Sequence, residues 1–261
     1  QSKTQDVNKG YEIAYLNPII FYRPVEFSKQ SNKANALMGV NLRVTFKYLV
    51  FYGQFLLDDL NVSRHKSSND SYSGGFFQNK YGYQIGLKGT LKDVDFLVEY
   101  NQVQPYTYGH RTVLQNYAHM NQALAHPLGA NFRELINLFQ IKKGKWIYKL
   151  KSIVSSVGLD SLDTHYGQNI FASDYQATTG GQDSYGNFNG QGVRTTILSC
   201  QAEISYAFSH FDIFFIFVVF FCSLNHFFYR VISSYIYIFR NMSFIKFFNK
   251  SSCRASEVYY F

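Results

Sequence analysis

Cysteine is scarce in this chain. Cys200, Cys222 and Cys253 are the only three among 261 residues, an odd set whose spacing fits neither a disulfide framework nor a zinc site. Cys200 lies on an apolar face and reads as a packing residue. The four prolines (Pro18, Pro24, Pro105, Pro127) fall outside every strand-like segment, as a hydrogen-bonded ladder requires. No Gly-x-Ser-x-Gly elbow, phosphate loop or His-Glu-x-x-His pair occurs, which removes the motif-borne enzyme classes. Basic residues outnumber acidic ones by 25 to 17. They form no block of about five or six, so the footprint of a nucleic-acid binder is missing. The longest uninterrupted apolar run, Ile213–Cys222, covers ten residues, well short of the roughly 20 that a transmembrane helix needs. The chain opens at Gln1 with no basic n-region, apolar h-region or cleavage site, so the start is expected to be either mature or missing.

What is present is a period of two. Val40, Leu42, Val44, Phe46 and Tyr48 alternate with Asn41, Arg43, Thr45 and Lys47. Tyr81, Tyr83, Ile85 and Leu87 alternate with Gly82, Gln84, Gly86 and Lys88, and Val94–Tyr100 follows the same rule apart from Leu97. Thr196–Tyr206 repeats it again. Successive side chains of a strand point to opposite faces, so each segment has one apolar and one wet face. Phe132–Lys142 and Trp146–Val157 alternate less cleanly but carry the same β-branched and aromatic enrichment. The wet faces place Arg43, Lys47, Lys88, Asp95, Glu99 and Glu203 together, a mixed-sign set that argues against a simple anion pore.

Alternation alone fits both a soluble sandwich and a membrane barrel. The connections discriminate. LKDV after Thr90 and KKGK after Ile141 read as tight turns, whereas 61–80, 101–131 and 158–192 are long. Short turns at one end and long loops at the other, with strands of roughly 9–12 residues, are the build of an outer-membrane barrel. The aromatic content of 19% suits interfacial girdles.

The segments YLNPIIFYRPVEFS (Tyr15–Ser28), NALMGVNL (Asn35–Leu42), YGQFLLDDL (Tyr52–Leu60), NKYGYQIGLKG (Asn79–Gly89), VEYNQVQPYTY (Val98–Tyr108) and NYAHMNQALAHPLGANFREL (Asn116–Leu135) together resemble one family. It is the gliding-motility-associated outer-membrane β-barrel family, related to the Wzi-type capsule-assembly proteins. The resemblance is collinear over most of Tyr11–Tyr206. It implies an antiparallel transmembrane β-barrel in the cell outer membrane that handles surface or capsular polysaccharide or supports gliding. Its partners would be that polysaccharide, outer-membrane lipid and the gliding or capsule-export machinery. It implies no enzyme and no cofactor. Seven strands are legible, an odd number, so the chain is expected to supply about half of a larger barrel. Tyr48–Phe51 joins two strands without a turn residue, where the family has a polar hairpin; a deletion or register change is expected there.

Three regions follow: 1–34 precedes the strands, 35–208 holds them, and 209–261 is anomalous. The last lacks glycine and proline after His210 and holds half of the 26 phenylalanines. Phe211–Tyr229 admits a transmembrane-helix reading, weakened by the short apolar run. The favoured expectation is a frameshift or truncation near Phe208, with Phe, Ile, Tyr, Asn and Lys encoded by AT-rich DNA. A half-barrel alone is expected to be unstable, because lipid does not tolerate open edges.

For chemistry, the loop before Phe132 stands out. Tyr106, Tyr108, Arg111, Tyr117, His119, Asn121 and Gln122 supply aromatic faces and hydrogen-bonding groups suited to sugars. His119 and His126 have no metal-ligand spacing with a nearby acid, so no metal is expected. Asp58 and Asp59 point to opposite faces and read as a solvated strand end rather than an acid–base pair. GGQDSYGNFNGQG (Gly180–Gly192) reads as a mobile surface loop, and Arg23 and Glu26 as a structural pair. The leading function is a non-enzymatic polysaccharide-binding barrel, with acidic polysaccharide as its expected ligand. The alternative is a porin-like or receptor channel, and a soluble β-sandwich stands behind both.

Overall fold

The computed structural model describes residues 35–61, 75–161, 164–176 and 185–207, with only the backbone of Leu114, and the backbone of 211–224, 227–240 and 243–248. Arg23 and Glu26 lie outside the described residues, as does the region 1–34. The chain is all-β. Its strands are β1 (Met38–Thr45), β2 (Leu49–Asp59), β3 (Lys80–Leu91), β4 (Val94–Val103), β5 (Ala118–His119), β6 (Gln122–Ala123), β7 (Phe132–Lys143), β8 (Trp146–Leu159), β9 (Val193–Ala207), β10 (Phe211–Leu224), β11 (Phe227–Arg240) and β12 (Ser243–Phe248). All but β5 and β6 form one antiparallel sheet in the order β1-β2-β3-β4-β7-β8-β9-β10-β11-β12. The seven segments read from the sequence are β1–β4 and β7–β9.

The period of two becomes two chemically opposite faces through the register. Arg43, Tyr52, Gly86 and Glu99 are directly opposed across β1 to β4, and Asp95, Gln140, Lys149 and Glu203 across β4 to β9. These share the wet face, with Lys88 two residues from Gly86 on the same strand. The other face carries exposed Val40, Leu42, Phe55, Ile85, Phe139, Leu150, Leu198 and Ile204. Aromatic rings mark both of its ends. Trp146 stacks on Tyr148 and meets Tyr206 edge-on at the turn end; Phe55 and Tyr81, then Tyr83 and Tyr100, pair at the loop end.

Two turns follow the sequence and one corrects it. Lys92, at φ 55°, lets the β3–β4 hairpin close, and Gly144, at φ 62°, does so for β7–β8. The expected turnless junction at Tyr48–Phe51 is instead a compact hairpin. Phe46 N–H donates to the Leu49 carbonyl at 2.7 Å, and Thr45 faces Val50. Lys47 and Tyr48 therefore sit in the turn, and Lys47 is not part of the wet-face ladder. Backbone pairing with β2, rather than the apolar period, sets where β1 ends.

The backbone of β10 pairs with β9 over Asp212–Leu224 and with β11 over its whole length. The helix alternative for Phe211–Tyr229 is thus replaced by strands. The open edge of β9 offers unpaired amides and carbonyls, and a segment rich in Phe, Ile and Val suits a ladder better than a helix. No helix among the described residues is long and apolar enough to cross a membrane.

Candidate functional site

The loop ends of the strands position the site. One register row across the wet face is apolar or glycine: Leu56 faces Gly82, Gly82 faces Val103, Val103 faces Phe132, and Phe132 faces Val157. On that floor the connection 104–131 folds back as a cap. Tyr108, Ala130 and Ile170 join Val103, Phe132 and Val157 in one buried cluster. Full burial of side chains such as Phe132 and Val157, at 0% and 1% exposure, stabilises the cap by about 2 kcal/mol each. The long loop is therefore packed structure, with a 3₁₀ turn at Val113–Gln115 and a small hairpin of β5 and β6 closed by Met120 and Asn121, both at positive φ. That is the geometry of a tight primed turn.

Buried polar clasps fix the cap. Asp58 is 1% exposed, which overturns its reading as a solvated strand end. Its carboxylate accepts from Tyr108 N–H at 2.8 Å and from Asn35 Nδ2 at 2.9 Å, and pairs with His110 Nε2 at 3.1 Å. Alternation carried on from Gln54 and Leu56 puts Asp58 on the capped face, and the register shifts just there, between Leu57 and Asp59. Lys80, 1% exposed, meets Asp174 at 2.5 Å and the Gly109 carbonyl at 2.6 Å. Asn131 is wholly buried; it donates to the carbonyls of Gly158 and Gln191 and accepts from Gly190 N–H. Asp160 accepts from the backbone N–H groups of Tyr166 and Asn169 and pairs with His165 at 3.0 Å. Burial works to raise the Asp160 carboxyl, but the His165 hydrogen bond and charge and these N–H donors outweigh it and hold the group below its ordinary value.

Between cap and floor lies a cleft of about 290 Å³. Gln54, Gln84 and Asn101 supply amides from the strands; Tyr108, Tyr117 and His126 come from the cap. The rings of Tyr108 and Tyr117 lie 5.9 Å apart. Burial, then the nearby Asp58 charge and Tyr117, push the Tyr108 phenol up to about 12, so it remains a neutral hydrogen-bond donor. His126 stacks on Phe132 at 4.4 Å. Its Nδ1 accepts from Leu128 N–H and its Nε2 lies 3.2 Å from Glu134. Ser155 donates its hydroxyl to Glu134. The serine and the histidine each meet the carboxylate rather than one another, so this trio lacks the serine–histidine contact of a nucleophile relay. Among the described residues, no group of three or more His, Cys, Asp or Glu side chains converges as a metal site. A wider hollow of about 760 Å³ lies toward the turn end of the same face, lined in part by Lys47, Lys88, Lys149 and Lys151 with Asp95 and Glu203.

The sequence-predicted residues separate into three groups. Tyr108 and Tyr117 line the cleft. Tyr106 is buried at 2% exposure, donates to the His165 carbonyl and packs edge-on against Phe77; it is a packing residue. Arg111 lies over the Tyr175 ring at 4.4 Å, while His119, Asn121 and Gln122 are exposed on or beside the small hairpin, outside the cleft lining. Gln54, Gln84 and Asn101 carry no sign of the cleft in the sequence, and His126, weighed there only as a metal ligand, lines it as well. The first three sit within ordinary alternating strands, where nothing but the register shows that they lie under the cap. The glycine-rich segment, where described, is not a loose loop: Asn187 ties to Gly75, and Gln191 to Tyr166. Comparison with protein-family models, with curated proteins and with solved structures found no match to this chain.

Proposed function

We propose that this chain forms part of the wall of an outer-membrane β-barrel and binds surface polysaccharide at its capped wet face, serving capsule assembly or gliding. One observation carries the reading. A single antiparallel sheet exposes large apolar side chains on one face and folds a polar, aromatic cap over the other. An exposed apolar face of this extent calls for a nonpolar partner, and in a barrel wall that partner is lipid. The cleft beneath the cap offers amides and phenols, the groups that hydrogen-bond to sugar hydroxyls. The lysines farther along the same face favour anionic chains. The sequence resemblance points the same way.

The test uses the full chain recovered from membranes and reconstituted in liposomes. Retention is measured on immobilised hyaluronate, alginate and dextran. The expected result is retention of at least one of these, weakened about tenfold by Gln54→Ala combined with Gln84→Ala. A chain that conducts ions across a planar bilayer and retains none of them would transfer the reading to a porin-like channel.

A further inference from the structure

A second cleft, of about 410 Å³, opens at the loop-end rim of β2, β3 and β4, beside the apolar face. It shares no residue with the cleft under the cap. Its aromatic part is Phe76, Phe77, Tyr81 and Phe188, and its polar part is Asn79, Gln102, Gln104, Asn187 and Asn189. Its volume falls within the range of small-molecule sites. Among the described residues that line it, none carries a charge.

The amides are half used, and the unused halves are complementary. Asn79 Oδ1 accepts from Asn61 N–H at 2.9 Å, leaving its Nδ2 donor. Gln102 Oε1 accepts from the hydroxyls of Tyr83 and Tyr100 at 3.1 and 2.8 Å, leaving Nε2. Gln104 Nε2 donates to the Tyr81 hydroxyl at 3.2 Å, leaving Oε1. Asn189 Nδ2 donates to the carbonyls of Val103 and Phe132 at 2.6 and 3.0 Å, and its Oδ1 is a buried acceptor without a protein partner. A buried acceptor left unmatched is costly. The internal bonds also fix the orientation of each amide, so the two free donors and two free acceptors are set in advance of binding.

We infer that this rim cleft binds a neutral saccharide. A hydroxyl both donates and accepts, which matches two amide donors beside two carbonyl acceptors. The Phe188 ring is 63% exposed and gives the C–H face of a pyranose a flat apolar surface. The described lining, which carries no charge, disfavours a phosphate, a uronate or a metal ion. The inference deepens the polysaccharide reading and rests on it, but it assigns a ligand class and a site that the capped cleft does not. A neutral sugar reaches this position either as a free chain or as the headgroup of a glycolipid in the surrounding leaflet.

Saturation-transfer NMR on the full chain in nanodiscs tests this, with maltotriose, lactose, mannobiose, a hyaluronate disaccharide and triglycine as probes. At least one neutral sugar is expected to receive saturation. Phe188→Ala, at an exposed position, is expected to weaken it about tenfold, with rescue by Phe188→Tyr; Val113→Ala, at an exposed position outside both clefts, leaves it unchanged. Binding of the hyaluronate disaccharide or triglycine alone overturns the inference. So does a neutral-sugar signal lost in Tyr117→Ala but kept in Phe188→Ala, although that result preserves the polysaccharide reading. Absence of every signal overturns it as well, while retention on immobilised polysaccharide decides the broader reading separately. Repeating the titration in nanodiscs containing a digalactosyl lipid separates the sources: competition assigns the leaflet, and its absence assigns a free chain.

Discussion

At the residue scale, the cap depends on single polar side chains that satisfy several backbone groups at once. Asn131 sits at φ 57°, a region that asparagine tolerates better than most residues. Its side chain binds the end of β8 and the segment around Gly190. Asn131→Ala removes these bonds, strands the partner groups and adds backbone strain, and is expected to cost about 2–4 kcal/mol. Thermal unfolding in detergent measures this, and Asn131→Gly, which relieves only the strain, should recover a minor part. Asp160 gives a pH-dependent counterpart. Its folded pKa is depressed, so its stabilisation is fully present above the unfolded value of about 3.9 and is lost as pH falls through the folded value. The destabilisation caused by Asp160→Asn should therefore be largest near neutrality and shrink below about pH 4. Melting of both forms across that range reads the difference, and a constant gap would exclude the Asp160 charge as its source.

At the element scale, the cap and the strands are joined by the buried pair Lys80–Asp174. Lys80→Met leaves the Asp174 carboxylate buried without its cation and is expected to destabilise by about 3–5 kcal/mol. Adding Asp174→Leu should restore much of that, because the desolvation cost goes with the charge. Limited proteolysis within 104–131 and 164–176 reports whether the cap has lifted. The same elements show what the sequence makes legible. β3, β4 and β9 follow their alternation because their wet faces are mostly polar. β7 and β8 alternate less cleanly because their wet face also carries apolar residues: Phe132 and Val157 support the cap, and Ile136, Leu138, Ile147 and Ile153 lie farther along the same face. Only part of that irregularity is therefore a trace of the cap. Asp58, Lys80 and Asp174 are not legible as a group, since their contacts join residues far apart in sequence. Tyr108 and Tyr117 were reached through their polar, aromatic loop. Gln54 and Gln84 were not, because placing them needs the pairing of β2 with β3.

At the scale of the whole molecule, the decisive property is the opposite character of the two faces, and neighbouring residues of one strand test it. Leu150 and Lys151 are consecutive on β8, and Leu150 is 42% exposed on the apolar face, while Lys151 faces Gln201 and Leu138 on the wet face. If lipid covers the apolar face, Leu150→Arg places a cation in hydrocarbon and should cost about 2–4 kcal/mol near the bilayer midplane. Lys151→Glu changes charge by more, yet in a water-filled interior it should be nearly neutral for folding. Refolding into liposomes, followed by flotation and resistance to heat in gel migration, measures both. A sheet in water would give a different order: an exposed leucine tolerates arginine with little cost, and the two variants would fold alike. The contrast between two adjacent positions thus separates a lipid-facing wall from a soluble sheet without reference to any ligand.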